Sequence, residues 1–572
     1  MKNLKFRVLY REFLFRMVDP ELLAPDAQGD SAKLAGQFAS LLILCAIILA
    51  VAGLILGSAA GKESGVVGVI LKLSAENFLI ATTMLAVGLF AIVSWDSTFP
   101  DRRDVMILAP LPVRARTMFG AKVSAVAASL GLIIVLLAGL GGLAWPYAFN
   151  TEGLTGFLRL FAAYWITLLA SGVFVYSTVL AVQGITALLF PRRLFLRISS
   201  FLQLASFGLF VGVYFLQPIA ITPVALGASM GNDLPAWVPS FWFLGLYQQI
   251  AGSSALNLLA WRAWLAVSIS VAVTLIAYTA AYWRSLRRIV EEPDIAPGVR
   301  GGIWLPRFGD SFRTAIVQFA VRSLLRSRRH RILLAFYLGV AFAMIIYFLK
   351  SPVSKEFTGG RVGNLWNEVN VALLASGFLL MGFWVVGTRV VFAMPLDLRA
   401  NWIFRTLPLG ESPALTIARR RAQLVLSVFP VWTFWCAILL TRWPWRQAAA
   451  HLLILWLAGI TLVELCICGK QKIPFTCSYL PGKSHFHITF WISVHMILLG
   501  VGAAAEYERD AFGNPARLAE LIAGMLALAA FARWRTYDWS RSGDAFLLFE
   551  EESPVVQTLG LNKDGATIIT PA

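Results

Sequence analysis

The stretch LFAAYWITLLASGVFVYSTVLAV, Leu160–Val182, runs for 23 residues without a charged side chain. About 20 apolar residues in a helix cross the hydrocarbon of a bilayer, where lipid-facing backbone must satisfy its own hydrogen bonds. The stretch therefore predicts a transmembrane helix. The whole chain agrees, because 58% of its 572 residues are hydrophobic, 14% are charged and the mean hydropathy is +0.72. These values lie outside the range of ordinary soluble domains.

Eleven further apolar stretches predict spans on either side of this one. In chain order they are Phe38–Leu56, Phe78–Ser94, Val123–Leu143, Ile198–Phe215, Trp264–Tyr282, Ile332–Leu349, Val371–Val386, Leu424–Leu440, Leu452–Cys468, Ile488–Ala505 and Leu518–Ala532. The predicted fold class is an all-α, polytopic membrane protein with about 12 transmembrane helices.

The basic residues fall mostly in alternate gaps between these stretches. Of the 49 Lys and Arg residues, 38 lie in the two tails and the even-numbered loops, and 11 lie in the odd-numbered loops. Cytoplasmic loops carry the positive excess, so we expect both termini to be cytoplasmic in an integral, multi-pass protein of the prokaryotic cytoplasmic (inner) membrane. The net charge of +18 then indicates contact with anionic lipid headgroups and not with nucleic acid.

A Pro- and Gly-containing linker that begins at Glu291 divides the chain into two predicted halves of six spans each. The predicted organisation is a cytoplasmic amphipathic segment (1–34), a first half (35–290), a cytoplasmic linker with the helix that follows it (291–331), a second half (332–533) and a cytoplasmic tail (534–572). The first segment mixes Leu4 and Val8 with Lys5 and Arg7, which is typical of a helix lying along the membrane interface.

Two inner loops resemble each other. FPDRRDVMILAPLPVRARTMFGAK (99–122) and MPLDLRANWIFRTLPLGESPALTIARRR (394–421) each follow the second span of their half. Each contains a proline, then an acid and an arginine, then an apolar run ending in Leu-Pro, and then a basic segment before the next span. This pattern indicates two related six-helix halves that arose by duplication.

With its interfacial helix, its six spans and this loop, each half resembles the membrane subunits of ABC-2-type exporters. The resemblance implies a permease that is not an enzyme, has no cofactor of its own, and works with a separate ABC-type ATPase that binds ATP and Mg²⁺. It also implies that the inner loops dock on that ATPase. The corresponding residues are Asp101, Arg102, Arg103, Leu111, Pro112, Asp397, Arg399, Arg405, Leu407 and Pro408.

The outer loop 217–257 is too apolar for a solvated loop and is interrupted by four prolines. The same family resemblance implies half-inserted helices there, with Trp237, Trp242 and Tyr247 at the headgroup interface.

Three ionisable residues lie inside predicted spans: Glu464, His495 and Arg389. Such groups line translocation or proton pathways, or they form hydrogen bonds between helices and reach toward the interface. The first role suits the alternative function of an ion-coupled secondary transporter.

A second alternative is a membrane-embedded lipid-modifying enzyme, with Cys477, His485 and His487 near its site as candidate zinc ligands. The ligand spacing fits no standard zinc motif, so we predict no metal. Gly482-Lys483-Ser484 ends like a phosphate-binding loop but has Cys477 where the first glycine belongs. The sequence leaves open the substrate, the direction of transport and whether the chain forms a homo-oligomer.

Overall fold

The computed structural model describes residues 2–17, 31–62, 66–95, 97–100, 105–106, 108, 110–150, 153–220, 237–291, 306–350, 369–396, 401–402, 412–467, 473–476 and 500–541. Within these ranges the regular structure is helical and no strand is present. The predicted all-α class is confirmed for this part of the chain.

Nine helices precede the linker. They are α1 (Lys2–Met17), α2 (Ser31–Lys62), α3 (Val66–Val93), α4 (Ala115–Ala138), α5 (Gly141–Phe149), α6 (Gly153–Leu189), α7 (Arg192–Ala220), α8 (Pro239–Ile250) and α9 (Asn257–Glu291).

Eight helices follow the linker. They are α10 (Ser311–Arg326), α11 (Arg328–Lys350), α12 (Val371–Phe392), α13 (Ser412–Gln423), α14 (Phe429–Arg442), α15 (Trp445–Ile467), α16 (500–512) and α17 (Pro515–Arg541). A π-helical turn, Leu424–Val428, joins α13 to α14 just before Pro430, so that 414–442 runs as one span.

Eight described helices are long and apolar enough to cross a membrane, or nine if the bent pair α10 and α11 forms one span. This is the architecture of an integral, multi-pass membrane protein. The eight match the predicted spans two, three, four, six, eight, nine, ten and twelve. The first and fifth predicted spans coincide with shorter apolar helices, Leu42–Ser58 and Phe201–Tyr214, and most of the eleventh lies outside the described residues. The count of twelve and the orientation of the termini stay predictions.

The third span differs from its predicted bounds. Helix α4 begins at Ala115 and ends at Ala138, and the predicted last turn belongs to the separate helix α5. The buried Trp145 of α5 packs on Gly53 of α2, and its Nε1 donates to the carbonyl of Leu49 at 3.1 Å. The sequence Gly139-Leu-Gly-Gly142 breaks the helix there because glycine is a weak helix former.

The same helix pairs pack in both halves. Helix α1 packs on α4 as α10 packs on α13, and α2 on α3 as α11 on α12. The pairs α3 with α6 and α6 with α9 correspond in the same way to α12 with α15 and α15 with α17. The predicted duplication of a six-helix half stays a prediction.

The hydrophobic cores divide at the linker. Two large clusters are built from residues that precede it, and the largest cluster is built from residues that follow it. The halves meet where Phe207 of α7 packs on Gly339 and Phe336 of α11. The central helix of the second half is α12. Its most apolar stretch is 83% buried, whereas the corresponding stretch of α17 is 6% buried.

Candidate functional site: inner loops and buried ionisable groups

The amphipathic helix α1 is fixed on the inner loop that the repeat singles out. Its residues Leu9, Phe13 and Met17 are buried in one cluster with Met118 of α4. Lys5 Nζ donates to the carbonyl oxygen of Pro112 at 2.9 Å. The interfacial helix therefore holds the Leu-Pro turn in place by one apolar stripe and one charged hydrogen bond.

Lys122 strengthens the same junction from the α4 side. Its ammonium lies 5.0 Å from the centre of the Phe13 ring and donates to the carbonyl oxygen of Phe99 at 2.7 Å. A cation over an aromatic ring is attracted by the ring's negative face. The basic residue thus links α1, α4 and the segment that leaves α3.

Hydrogen bonds also fix the start of this loop to the spans behind it. Thr98 Oγ1 donates to Gln183 Oε1 at 3.0 Å, and the hydroxyl of Tyr278 donates to the carbonyl of Thr98 at 2.6 Å. Trp95 Nε1 donates to Ser199 Oγ at 2.8 Å. The segment that leaves α3 is therefore bonded to α6, α7 and α9.

The second half builds the same junction from different residues. Ile316 of α10 is buried with Leu415 and Ala418 of α13. Arg421 Nη1 donates to the carbonyl of Phe308, just before α10 begins. Asp310 caps that helix, because its Oδ1 accepts from the backbone N–H of Arg313 at 3.3 Å.

His330 fixes the bend between α10 and α11, which turn by 81°. Its Nε2 lies 3.1 Å from the carbonyl oxygen of Met394 and its Nδ1 lies 2.6 Å from Ser327 Oγ. A carbonyl only accepts, so Nε2 carries the proton in this arrangement. The bend is thus bonded to the start of the second inner loop. The sequence analysis missed His330, which stands directly before a predicted span.

The docking residues given by the resemblance are only partly described. Leu111 is 49% exposed and Pro112 is also exposed. The remaining eight, Asp101, Arg102, Arg103, Asp397, Arg399, Arg405, Leu407 and Pro408, lie outside the described residues. The same loops show further exposed apolar side chains that the sequence analysis did not single out: Met106 at 65%, Leu396 at 41% and Trp402 at 60%.

Glu464 is half of a buried ion pair. Arg420 Nη2 of α13 donates to Glu464 Oε2 of α15 at 2.9 Å, and the side chains are 11% and 1% exposed. Such a pair holds two helices together. Of the two readings of Glu464, this geometry favours the bond between helices.

The other two candidate pathway residues are not brought to Glu464 by any described contact. Arg389 lies in the last turn of α12, where a cation is favoured by the helix dipole, and its Nε has no hydrogen-bond partner among the described residues. His495 lies outside the described residues, as do Cys477, His485 and His487. Within the described ranges, no three His, Cys, Asp or Glu side chains are grouped as metal ligands.

A second buried ionisable pair joins α15 to α16. His451 Nδ1 lies 2.9 Å and 3.1 Å from the two carboxylate oxygens of Glu508, and both side chains are 0% exposed. A Cβ at Gly377 would lie 2.9 Å from His451 Nε2, so glycine makes room for the ring. The sequence analysis missed this pair, since His451 borders a predicted span and Glu508 lies in a predicted outer loop.

The short helix α8 confirms that the outer loop contains a buried helix. Phe241, Phe243 and Leu246 are buried against neighbouring spans, and Gly252, at φ 101°, ends the helix. The predicted position at the headgroup interface is wrong for Tyr247, because its side chain is only 1% exposed. Trp237 is 83% exposed.

Comparison with known proteins identifies no relative. No protein-family model, no curated protein and no solved structure matches the chain.

Proposed function

We propose that the chain is the membrane-spanning permease subunit of an ABC-type exporter in a prokaryotic cytoplasmic membrane. It moves an unidentified substrate, and a separate ATPase subunit supplies ATP, Mg²⁺ and the hydrolytic site. The observation that carries the proposal is the repeated junction: in each half an amphipathic helix is fixed on the basic segment that enters the third span of that half. The Lys5 to Pro112 and Arg421 to Phe308 hydrogen bonds are its two forms.

This junction suits a subunit that is driven from outside. A motor can move transmembrane helices only if the surface it pushes is rigidly joined to them. The segment that leads from α3 into the first inner loop is joined to three spans through the hydrogen bonds of Thr98 and Trp95.

The exposed apolar side chains of the two loops support a protein partner. Met106 and Leu111 in the first loop, and Leu396 and Trp402 in the second, lie on the predicted cytoplasmic side. Apolar anchors surrounded by polar residues are typical of the centre of a protein interface.

Copurification tests the proposal. A tagged full-length chain is extracted from its native membrane and the eluate is analysed by mass spectrometry and for ATP hydrolysis. We expect an ABC-type ATPase with the wild-type chain and with Leu154→Asp, which changes a side chain 75% exposed at the predicted outer end of α6. Leu111→Asp combined with Trp402→Asp should lose the ATPase while the chain still inserts and melts normally. An eluate without such an ATPase, or one unchanged by the double variant, contradicts the proposal.

The His451–Glu508 pair favours a second candidate, an ion-coupled secondary transporter. A buried imidazole beside a carboxylate can take up and release a proton in a transport cycle. Proteoliposomes that contain a pH-sensitive dye would then show proton flux that depends on an added solute and needs no ATP. The flux should disappear in Glu508→Gln. Transport that requires ATP and tolerates this substitution excludes the candidate.

A further inference from the structure

The first half buries an unusual group of polar atoms where α3, α6 and α8 meet. Glu76 and Asn77 of α3, Thr167 of α6, and Ser240 and Tyr247 of α8 are each at most 1% exposed. Within the described residues, no hydrogen-bond partner is present for Glu76 Oε1, both amide atoms of Asn77, Thr167 Oγ1, Ser240 Oγ and the Tyr247 hydroxyl. A buried polar atom without a partner destabilises a fold by about 1–3 kcal/mol. So many in one place need an occupant.

The helices that carry these side chains meet at one junction. Helix α8 packs on both α3 and α6, and α3 packs on α6. Ala75, Leu168 and Phe241, direct chain neighbours of three of the polar residues, belong to one buried cluster that also contains Tyr247. Gln248 Nε2 donates to Glu76 Oε2, which fixes the carboxylate toward α8 and leaves Oε1 free.

The charge at this junction is not balanced by a described ion pair. Lys72 lies one turn before Glu76 on the same helix and interacts with it electrostatically, but the two side chains are not in ion-pair contact. Tyr164 is nearby, but its hydroxyl already donates to the carbonyl of Ala138 at 2.9 Å. A carboxylate inside a membrane bundle pairs with a positive charge or faces water.

We propose that Glu76, Asn77, Thr167, Ser240 and Tyr247 form a binding site for one monovalent metal cation, Na⁺ or K⁺. Five oxygens are available as ligands: one from the carboxylate, one from the amide carbonyl and three from hydroxyls, while the amide nitrogen of Asn77 would not take part. Hard cations take such ligands, whereas thiolate and imidazole are ligands of softer metals. One carboxylate neutralises one positive charge, and Ca²⁺ sites usually collect more than one.

The site also accounts for the structure of α8. This helix begins at Pro239 and reaches only Ile250, so it inserts between spans without crossing the membrane. Short or broken helices at membrane depth are where coupling ions bind in many transporters. A cation held by residues of α3, α6 and α8 would lock this helix in place. The inference does not depend on the proposed ATPase partner.

Thermal unfolding of the purified full-length chain tests the site. The melting temperature is followed by the fluorescence of its 20 tryptophans, while NaCl or KCl replaces N-methyl-D-glucamine chloride at constant ionic strength and pH. A ligand that binds only the folded state raises the melting temperature with concentration. We expect a rise with Na⁺ or K⁺ in the wild type and in Glu520→Gln, which changes an exposed carboxylate. Glu76→Gln should show no rise.

A second pair of variants decides the matter if Glu76→Gln does not fold. Thr167→Val removes a hydroxyl of the site without changing the shape of the side chain. Thr178→Val, on the same helix, removes a hydroxyl that only bonds the carbonyl of Phe174 at 2.7 Å. The first should raise the midpoint of the cation response about tenfold, which corresponds to one lost ligand of about 1.4 kcal/mol. The second should leave the midpoint unchanged.

Three results overturn the proposal. One is a wild-type melting temperature that is the same in all three salts. Another is a cation response that persists unchanged in Glu76→Gln, or in Thr167→Val when Glu76→Gln does not fold. The third is a response to pH alone, which would show that a proton and not a metal cation occupies the carboxylate.

Discussion

Breaking the Arg420–Glu464 pair should destabilise the second half far more than removing both charges together. The side chains are 11% and 1% exposed and join α13 to α15. Glu464→Leu leaves the guanidinium without its anion, and Arg420→Met leaves a carboxylate in the bundle interior. Removing one partner of a buried pair typically destabilises by about 3–5 kcal/mol, whereas replacing both by apolar residues is neutral or stabilising.

The magnitude can be measured as a melting temperature in detergent. If the second half unfolds as one unit of about 200 residues, each kcal/mol lowers the melting temperature by roughly 2–4 °C. Each single variant should therefore melt roughly 6–20 °C lower than the wild type. Arg420→Met combined with Glu464→Leu should recover most of that loss. Arg446→Met is the matched control, because Arg446 lies on the same helix as Glu464 and is exposed.

The double-mutant cycle decides whether the reasoning holds. The coupling energy is the sum of the two single losses minus the loss of the double variant, and independent residues show none. A double variant that loses the sum of the two single losses would refute the view that this pair joins the helices. So would single variants that melt like the control.

Three other substitutions test separate contacts. Gly184→Leu should lower the free energy of unfolding by about 1–3 kcal/mol or more, because a Cβ at this position would lie 2.9 Å from the Ala277 backbone of α9. Gly131→Ala is the control: its Cβ would enter open space, so this variant should melt at or above the wild-type temperature. Lys5→Ala should speed hydrogen exchange in residues 2–17, since it removes a bond of about 1 kcal/mol that fixes α1; unchanged exchange would contradict that role. Glu508→Gln should lower the free energy of unfolding by about 1–3 kcal/mol, because it replaces the carboxylate whose two oxygens lie next to His451 Nδ1, and a variant as stable as the wild type would show that the pair does not hold α16.

Apolar length was sufficient to locate the described helices, whereas the orientation predicted from the charge alternation stays a prediction. Every predicted span with described residues coincides at least in part with a helix, because a lipid-facing backbone has few alternatives to helical structure. The predicted end of the third span at Leu143 failed for a local reason. An apolar segment with glycines and Pro146 has the same hydropathy whether it continues a span or turns back as α5.

The polar interior was harder to predict than the helices. Glu76 and His451 both border long apolar runs, where a sequence-based reading assigns an ionisable side chain to the interface. Their burial is set by helices that lie far away in the chain: α8 covers Glu76, and Glu508 of α16 reaches His451. Pairwise contacts of this kind leave no periodic signal in one sequence. The repeated loop pattern drew attention to the two inner loops, but it did not predict that α1 packs on α4 or that α10 packs on α13.

The two halves repeat the same helix pairs but bury different polar groups, and we expect these groups to serve two different functions. Each half packs a helix, α1 or α10, on the start of its third span, and the proposed ATPase would act on both. The first half buries oxygens without a described partner around Glu76, while the second half buries an ion pair, Arg420 with Glu464. A cation site can release its ion in a substrate cycle, whereas an ion pair joins two helices directly. Glu76→Gln should accordingly abolish the cation response and leave ATPase binding intact, and Leu111→Asp with Trp402→Asp should do the reverse. If both changes alter both properties, the inner junctions and the buried oxygens belong to one mechanism, and the separation of functions is wrong.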